Sequence, residues 1–78
     1  MAVVAVTYSL LRKAGEVTGF THAQLAELVG VSRQLVQKVV AGDVPEYLNA
    51  SQIGALMAAV RLFVDRARQG LEEMERFS

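Results

Sequence analysis

Apolar residues recur at helical spacing along most of the chain. No stretch shows the sustained two-residue alternation of a half-buried strand, so the pattern predicts an all-α fold. Four helices are expected, over roughly 7–18, 22–29, 33–41 and about 50–76, with boundaries good to about two to four residues. In the first, Leu10, Leu11, Ala14 and Val17 share a face, and Gly15 interrupts an otherwise regular pattern. Residues 2–6, rich in alanine and valine, fit either the start of that helix or a short extended arm. In the fourth, Ile53, Met57, Val60, Val64, Ala67, Leu71 and Met74 follow one another at alternating spacings of four and three. That is the seam of a coiled coil. Leu56, Phe63 and Phe77 widen the stripe.

Local signals fix the ends of these helices. A polar N-cap is often flanked by an apolar residue just before it and another four residues after it. Thr21 lies between Phe20 and Leu25, with Gln24 placed to complete a capping box. Ser32 lies between Val31 and Val36, and Asn49 between Leu48 and Ile53 with Gln52 in the box position. Each cap contributes about 1 kcal/mol. Gly19, Gly30 and Gly42 follow the first three helices, where a left-handed residue closes the last turn. Pro45 then prevents continuation and pushes Val44 towards an extended conformation.

Composition narrows the classes of protein that remain. A chain of 78 residues fits a single domain, 1–78, and a domain this small needs a dense core, a metal, disulfides or a partner. There is no cysteine and one histidine, His22, so disulfides are excluded and no zinc site is expected. The apolar fraction of 53 % and the mean hydropathy of +0.31 favour a dense core or a second chain. The longest apolar runs, Met1–Val6 and Gly54–Val60, fall far short of the ~20 residues that span a membrane. No signal-peptide pattern is present, and the cysteine-free chain suits a reducing cytoplasm. Catalysis finds no support: there is no glycine-rich phosphate loop, no cysteine nucleophile and no paired carboxylate set on a pocket wall. No enzymatic activity, cofactor or small-molecule substrate is expected. Glu72, Glu73 and Glu75 read as a solvated helix end.

The second and third helices are short and are joined by Val29-Gly30-Val31. Short helices joined so tightly cross steeply, and the second can project into a DNA major groove. Ala26 supplies a small residue where the two helices touch, and Val36, Val39 and Val40 supply an apolar inner face. The run from Gly19 to Val36 resembles the helix-turn-helix of the lambda-repressor/Cro family. The resemblance rests on the Gly19-Phe20-Thr21 opening, Leu25-Ala26, Gly30-Val31-Ser32, Val36 and Gly42, and covers about residues 10–60. It departs at His22, where the family usually has a glutamine supporting the recognition helix and a phosphate. It departs again after Val60, where the family packs a short final helix and this helical pattern continues.

The resemblance implies that the third helix, around Ser32–Ala41, is a recognition helix. Its outward residues are Ser32, Arg33, Gln34, Gln37 and Lys38. Arginine pairs bidentately with guanine and glutamine with adenine, which makes Arg33, Gln34 and Gln37 the expected base contacts. Ser32 caps the helix and touches phosphate, Lys38 serves either role, and Thr21 opens a helix whose free amides suit a backbone phosphate. The bland alternatives are solvated faces for these residues, a solvent-exposed first-turn position for His22, and solubility for Arg12 and Lys13. Zero net charge weighs against nucleic acid. Residues 1–45 nonetheless carry Arg12, Lys13, Arg33 and Lys38 against Glu16, Glu27 and Asp43.

A helix over 50–76 is about 40 Å long, far longer than the first three, so its distal stripe exceeds what they can cover and either folds back at Gly70 or packs on another chain, the second being favoured. Val60, Phe63, Val64, Ala67, Leu71 and Met74 are therefore expected to join two copies, with 1–48 as the DNA-binding core and 49–78 as the dimerising helix. The expected function is a dimeric, sequence-specific regulator of transcription binding double-stranded DNA, a repressor or Cro-like switch of phage or mobile-element type. The alternatives are a protein-interaction module on the same scaffold and an architectural, excisionase-type factor that bends DNA.

Overall fold

A computed structural model describes residues 9–78. Among them the chain is all-helical, without strands: α1 (Leu10–Thr18), α2 (His22–Val29), α3 (Arg33–Ala41) and α4 (Ala50–Arg76). The choice between helix and arm for residues 2–6 lies outside the described residues.

The ends of α2, α3 and α4 follow from the caps. Thr21 Oγ1 accepts from the Gln24 amide at 3.2 Å, and the Thr21 amide donates to Gln24 Oε1 at 2.8 Å. Asn49 and Gln52 repeat this reciprocal pair, and Ser32 Oγ accepts from the Leu35 amide at 3.1 Å. Gly30, at φ 72°, ends α2 in the left-handed region, and the Gly30 and Val31 amides both donate to the Ala26 carbonyl. Gly42, at φ 84°, ends α3 in the same way, with the Asp43 amide on the Lys38 carbonyl. A side chain with a Cβ is strained in that region.

α1 begins later than the pattern predicts, at Leu10 rather than 7, with Ser9 extended as its N-cap. Ser9 is a local cap, its Oγ accepting from the Arg12 amide at 3.1 Å, and a carboxylate 35 to 37 residues away reinforces it. The Glu46 carboxylate accepts from Ser9 Oγ at 2.8 Å and from the Leu10 and Leu11 amides at 2.9 and 3.0 Å. An anion at a helix N-terminus satisfies free amides and complements the macrodipole. The buried face of α1 also differs. Leu11, Ala14 and Thr18 are buried, whereas Val17 is 44 % exposed. Thr18 tolerates burial because its hydroxyl donates to the Ala14 carbonyl at 2.6 Å and accepts from the Phe20 amide at 3.1 Å.

The core is one cluster: Leu11, Ala14, Leu25, Ala26, Val29, Val36, Val39 and Leu56. α2 lies at its centre, packed against α1, α3 and α4. Gln52 ties α4 to the end of α2 by donating from Nε2 to the Val29 carbonyl at 2.9 Å. Among the described residues α3 packs on α1 and α2 but not on α4, and its polar side is exposed. Past Val64 the whole of α4 except half-buried Gly70 is exposed, and the helix projects from the body. The radius of gyration of 15.2 Å records this. A compact chain of this length has about 11 Å. No helix among the described residues is long and apolar enough to cross a membrane.

Candidate nucleic-acid interface

The geometry of α3 starts from its two fully enclosed residues. Val36 and Val39 are 0 % and 6 % exposed, and Val40 packs beside them. At about 100° per residue, the side opposite these valines carries Gln34, Gln37, Lys38 and Ala41. All four are exposed, as are Ser32 and Arg33. Arg33 shares the row of Val36 and Val40, so it sits on the flank of the outward face and not at its centre. Leu35 occupies the other flank, 42 % exposed.

Tethering by the short Gly30-Val31-Ser32 turn sets this face. The left-handed Gly30 reverses the chain, half-buried Val31 packs against the core, and Ser32 caps the next helix. Buried Ala26 carries little bulk at the point where the chain turns back. α3 therefore presents its polar side to solvent on a base that cannot easily tilt. Nine residues give a rod about 13 Å long. That length suits a major groove about 12 Å wide.

Electrostatically, α3 carries Arg33 and Lys38 and no acid. The ion pairs found among the described residues, Arg12–Glu16 at 3.6 Å and Lys13–Glu16 at 3.7 Å, both lie on α1. Arg12 and Lys13 are thus engaged with Glu16 on a solvated face, where such pairs contribute little. Thr21 is exposed at the far end of α2, about 12 Å along the helix from the turn. Its capping box occupies the amides of Thr21 and Gln24, leaving those of His22 and Ala23 as the free donors of that turn. His22 departs from the solvent-exposed expectation. It is half-buried and lines a cleft with Leu11, Gly15, Phe20 and Leu25.

The stripe along α4 divides. Val60 packs against the core, and Phe63 sets its ring edge-on to Phe20 with centroids 5.8 Å apart. Val64 is half-buried. Ala67, Leu71 and Met74 are exposed, the latter two by 54 % and 69 %. Ala41 is the outward residue that the sequence pattern hides. It reads as the end of an apolar run Val39-Val40-Ala41, and only the helical register relative to Val36 and Val39 brings it to the surface beside Gln37 and Lys38. A small apolar side chain there is a fit for a thymine methyl. No protein-family model, curated protein or solved structure matches this chain.

Proposed function

We propose that this chain is a sequence-specific DNA-binding regulator of transcription that uses α3 as its reading helix and acts as a dimer. One observation carries the reading. A short helix, fixed from behind by Val36 and Val39, presents Arg33, Gln34, Gln37 and Lys38 to solvent, unencumbered by α4. These side chains are the donor and acceptor types that match base edges in the major groove. Gln34 and Gln37 approach bases from the centre of the face, and Arg33 from its flank. Ser32 and Thr21 meet phosphate, and Lys38 meets phosphate or guanine. Zero net charge makes the non-specific phosphate term small, so affinity leans on base contacts and on having two reading helices. The role is binding and not catalysis, and a cysteine-free regulator of this size suits the cytoplasm and the repertoire of phages and mobile elements.

Selection from a random duplex library, followed by gel shifts on the enriched sequence, is the test. A single enriched motif, bound far more tightly than scrambled DNA, is the expected result. A second reading, a protein-interaction module, draws on the exposed Leu35, Leu71 and Met74 and on the neutral charge. Under that reading the selection returns no motif.

A further inference from the structure

We propose that the outer half of α4 pairs antiparallel with α4 of a second copy of this chain, crossing at Gly70. The proposal rests on the dimeric part of the reading above and gives that dimer an orientation and a register. Its first support is continuity. Ile53, Leu56, Val60 and Phe63 lie on the stripe that faces the body, and Ala67, Leu71, Met74 and Phe77 prolong that same stripe beyond it. Phe77, at the end, is 88 % exposed.

Charge then selects the occupant and its direction. Arg61, Arg66 and Arg68, with Asp65, make the middle of α4 basic. Glu72, Glu73 and Glu75, with Arg76, make its end acidic. Two such helices side by side in parallel set basic against basic and acidic against acidic. Antiparallel, each basic segment runs alongside the acidic segment of the other copy, with Arg61 and Glu75 as the pair at the edge of the seam. Three glutamates in the last two turns also oppose the helix macrodipole, an unfavourable arrangement in isolation that facing arginines offset.

Register follows from the seam. In an antiparallel pair the two kinds of seam position face each other across the interface. Setting Val64 against the second copy's Met74 sets Ala67 against Leu71. On one flank Gly70 meets its own equivalent and Phe63 meets Phe77. On the other flank Arg61 meets Glu75 twice, once from each copy, and Arg68 meets its own equivalent once. Sliding one heptad towards the body loses both Arg61–Glu75 pairs and sets Arg61 against Arg68 twice, a larger like-charge clash. Sliding one heptad outward leaves Val64 without a partner and cuts the overlap to 69–76, roughly 12 Å. The chosen register overlaps the two helices from 62 to 76, roughly 22 Å. The two Leu56 anchors then lie about 39 Å apart along the axis.

The chain lacks cysteine, so pairing can be read from introduced disulfides in the full-length protein without DNA. The wild type should sediment as a dimer at tens of micromolar. Under mild oxidation, Gly70→Cys and the double variant Val64→Cys/Met74→Cys should give covalent dimers, while Met74→Cys alone should not. Arg61→Glu should weaken dimerisation about fivefold, and adding Glu75→Arg should restore it. A monomer at that concentration overturns the proposal, as it does if another protein covers the stripe. Self-linking by Met74→Cys indicates a parallel pair and overturns it too. So does a dimer in which neither the Gly70→Cys nor the double variant links, or a charge swap that fails to restore association. Should thermal melts show a variant unfolded, the wild-type sedimentation and the remaining variants decide. A correctly linked dimer that selects no DNA motif refutes the DNA-reading role and leaves the pairing intact.

Discussion

The two halves of α4 share one apolar rhythm and have opposite fates. Leu56, in the proximal half, is 1 % exposed and belongs to the core, whereas Leu71, on the same side of the distal half, is 54 % exposed. Nothing in the local pattern separates them. What differs is what stands opposite: α1 and α2 face the first half, and the body stops short of the second. Periodicity therefore reports which side of a helix is fit for burial, and a partner decides whether burial happens. In a small domain with one contiguous core, the proximal half holds the fold together and the distal half stays outside it.

The contrast makes its largest demand at Leu56. Leu56→Ala removes a fully enclosed side chain and should destabilise the protein by about 2–5 kcal/mol, a large share of the stability of any small domain. Leu71→Ala should change the melt of dilute protein by no more than ~0.5 kcal/mol. Equal losses in urea titrations of the two variants would break the comparison. A second, smaller difference lies between the turn and the helix interior. Gly30→Val forces a β-branched residue to φ 72° and should cost roughly 1–2 kcal/mol or more. Gly54→Ala, with nothing within 4 Å of the added methyl, should raise stability by up to ~1 kcal/mol. Thermal melts that put the two in the opposite order would contradict the assigned turn. The smallest effect sharpens the picture of the body. Glu46→Ala deletes the carboxylate that receives Ser9 Oγ and the Leu10 and Leu11 amides. It should cost about 1 kcal/mol and increase hydrogen exchange in the first turn of α1, leaving distal α4 unchanged.

Most of the fold was legible because its signals are local. Thr21, Ser32 and Asn49 bond to amides three residues ahead, and Gly30 and Gly42 supply a backbone conformation that few other residues adopt. The start of α1 was only half legible: Ser9 caps the Arg12 amide locally, but the Glu46 carboxylate on the Leu10 and Leu11 amides arrives from beyond α3. Hydropathy favours Val17 over Thr18 for the buried face, since it does not register a hydroxyl satisfied by the Ala14 carbonyl. Phe63 read as part of an outward stripe, yet its ring meets Phe20, a contact that only the tertiary fold creates. In the candidate interface, the polar side of α3 could be read as the complement of Val36 and Val39. The place of Arg33 on the flank and of Ala41 on the open face required the register of the folded helix.

The central claim, that the outward side of α3 reads base pairs, is tested most directly by binding isotherms on the selected duplex for wild type, Arg33→Ala and Gln37→Ala. Both side chains are exposed, so neither substitution should change the circular dichroism or the melt. Each should lose about 1–3 kcal/mol of specific affinity, with the preference relaxed at one position of the site. Wild-type affinity and an unaltered motif in both variants would contradict the account and remove α3 from the readout.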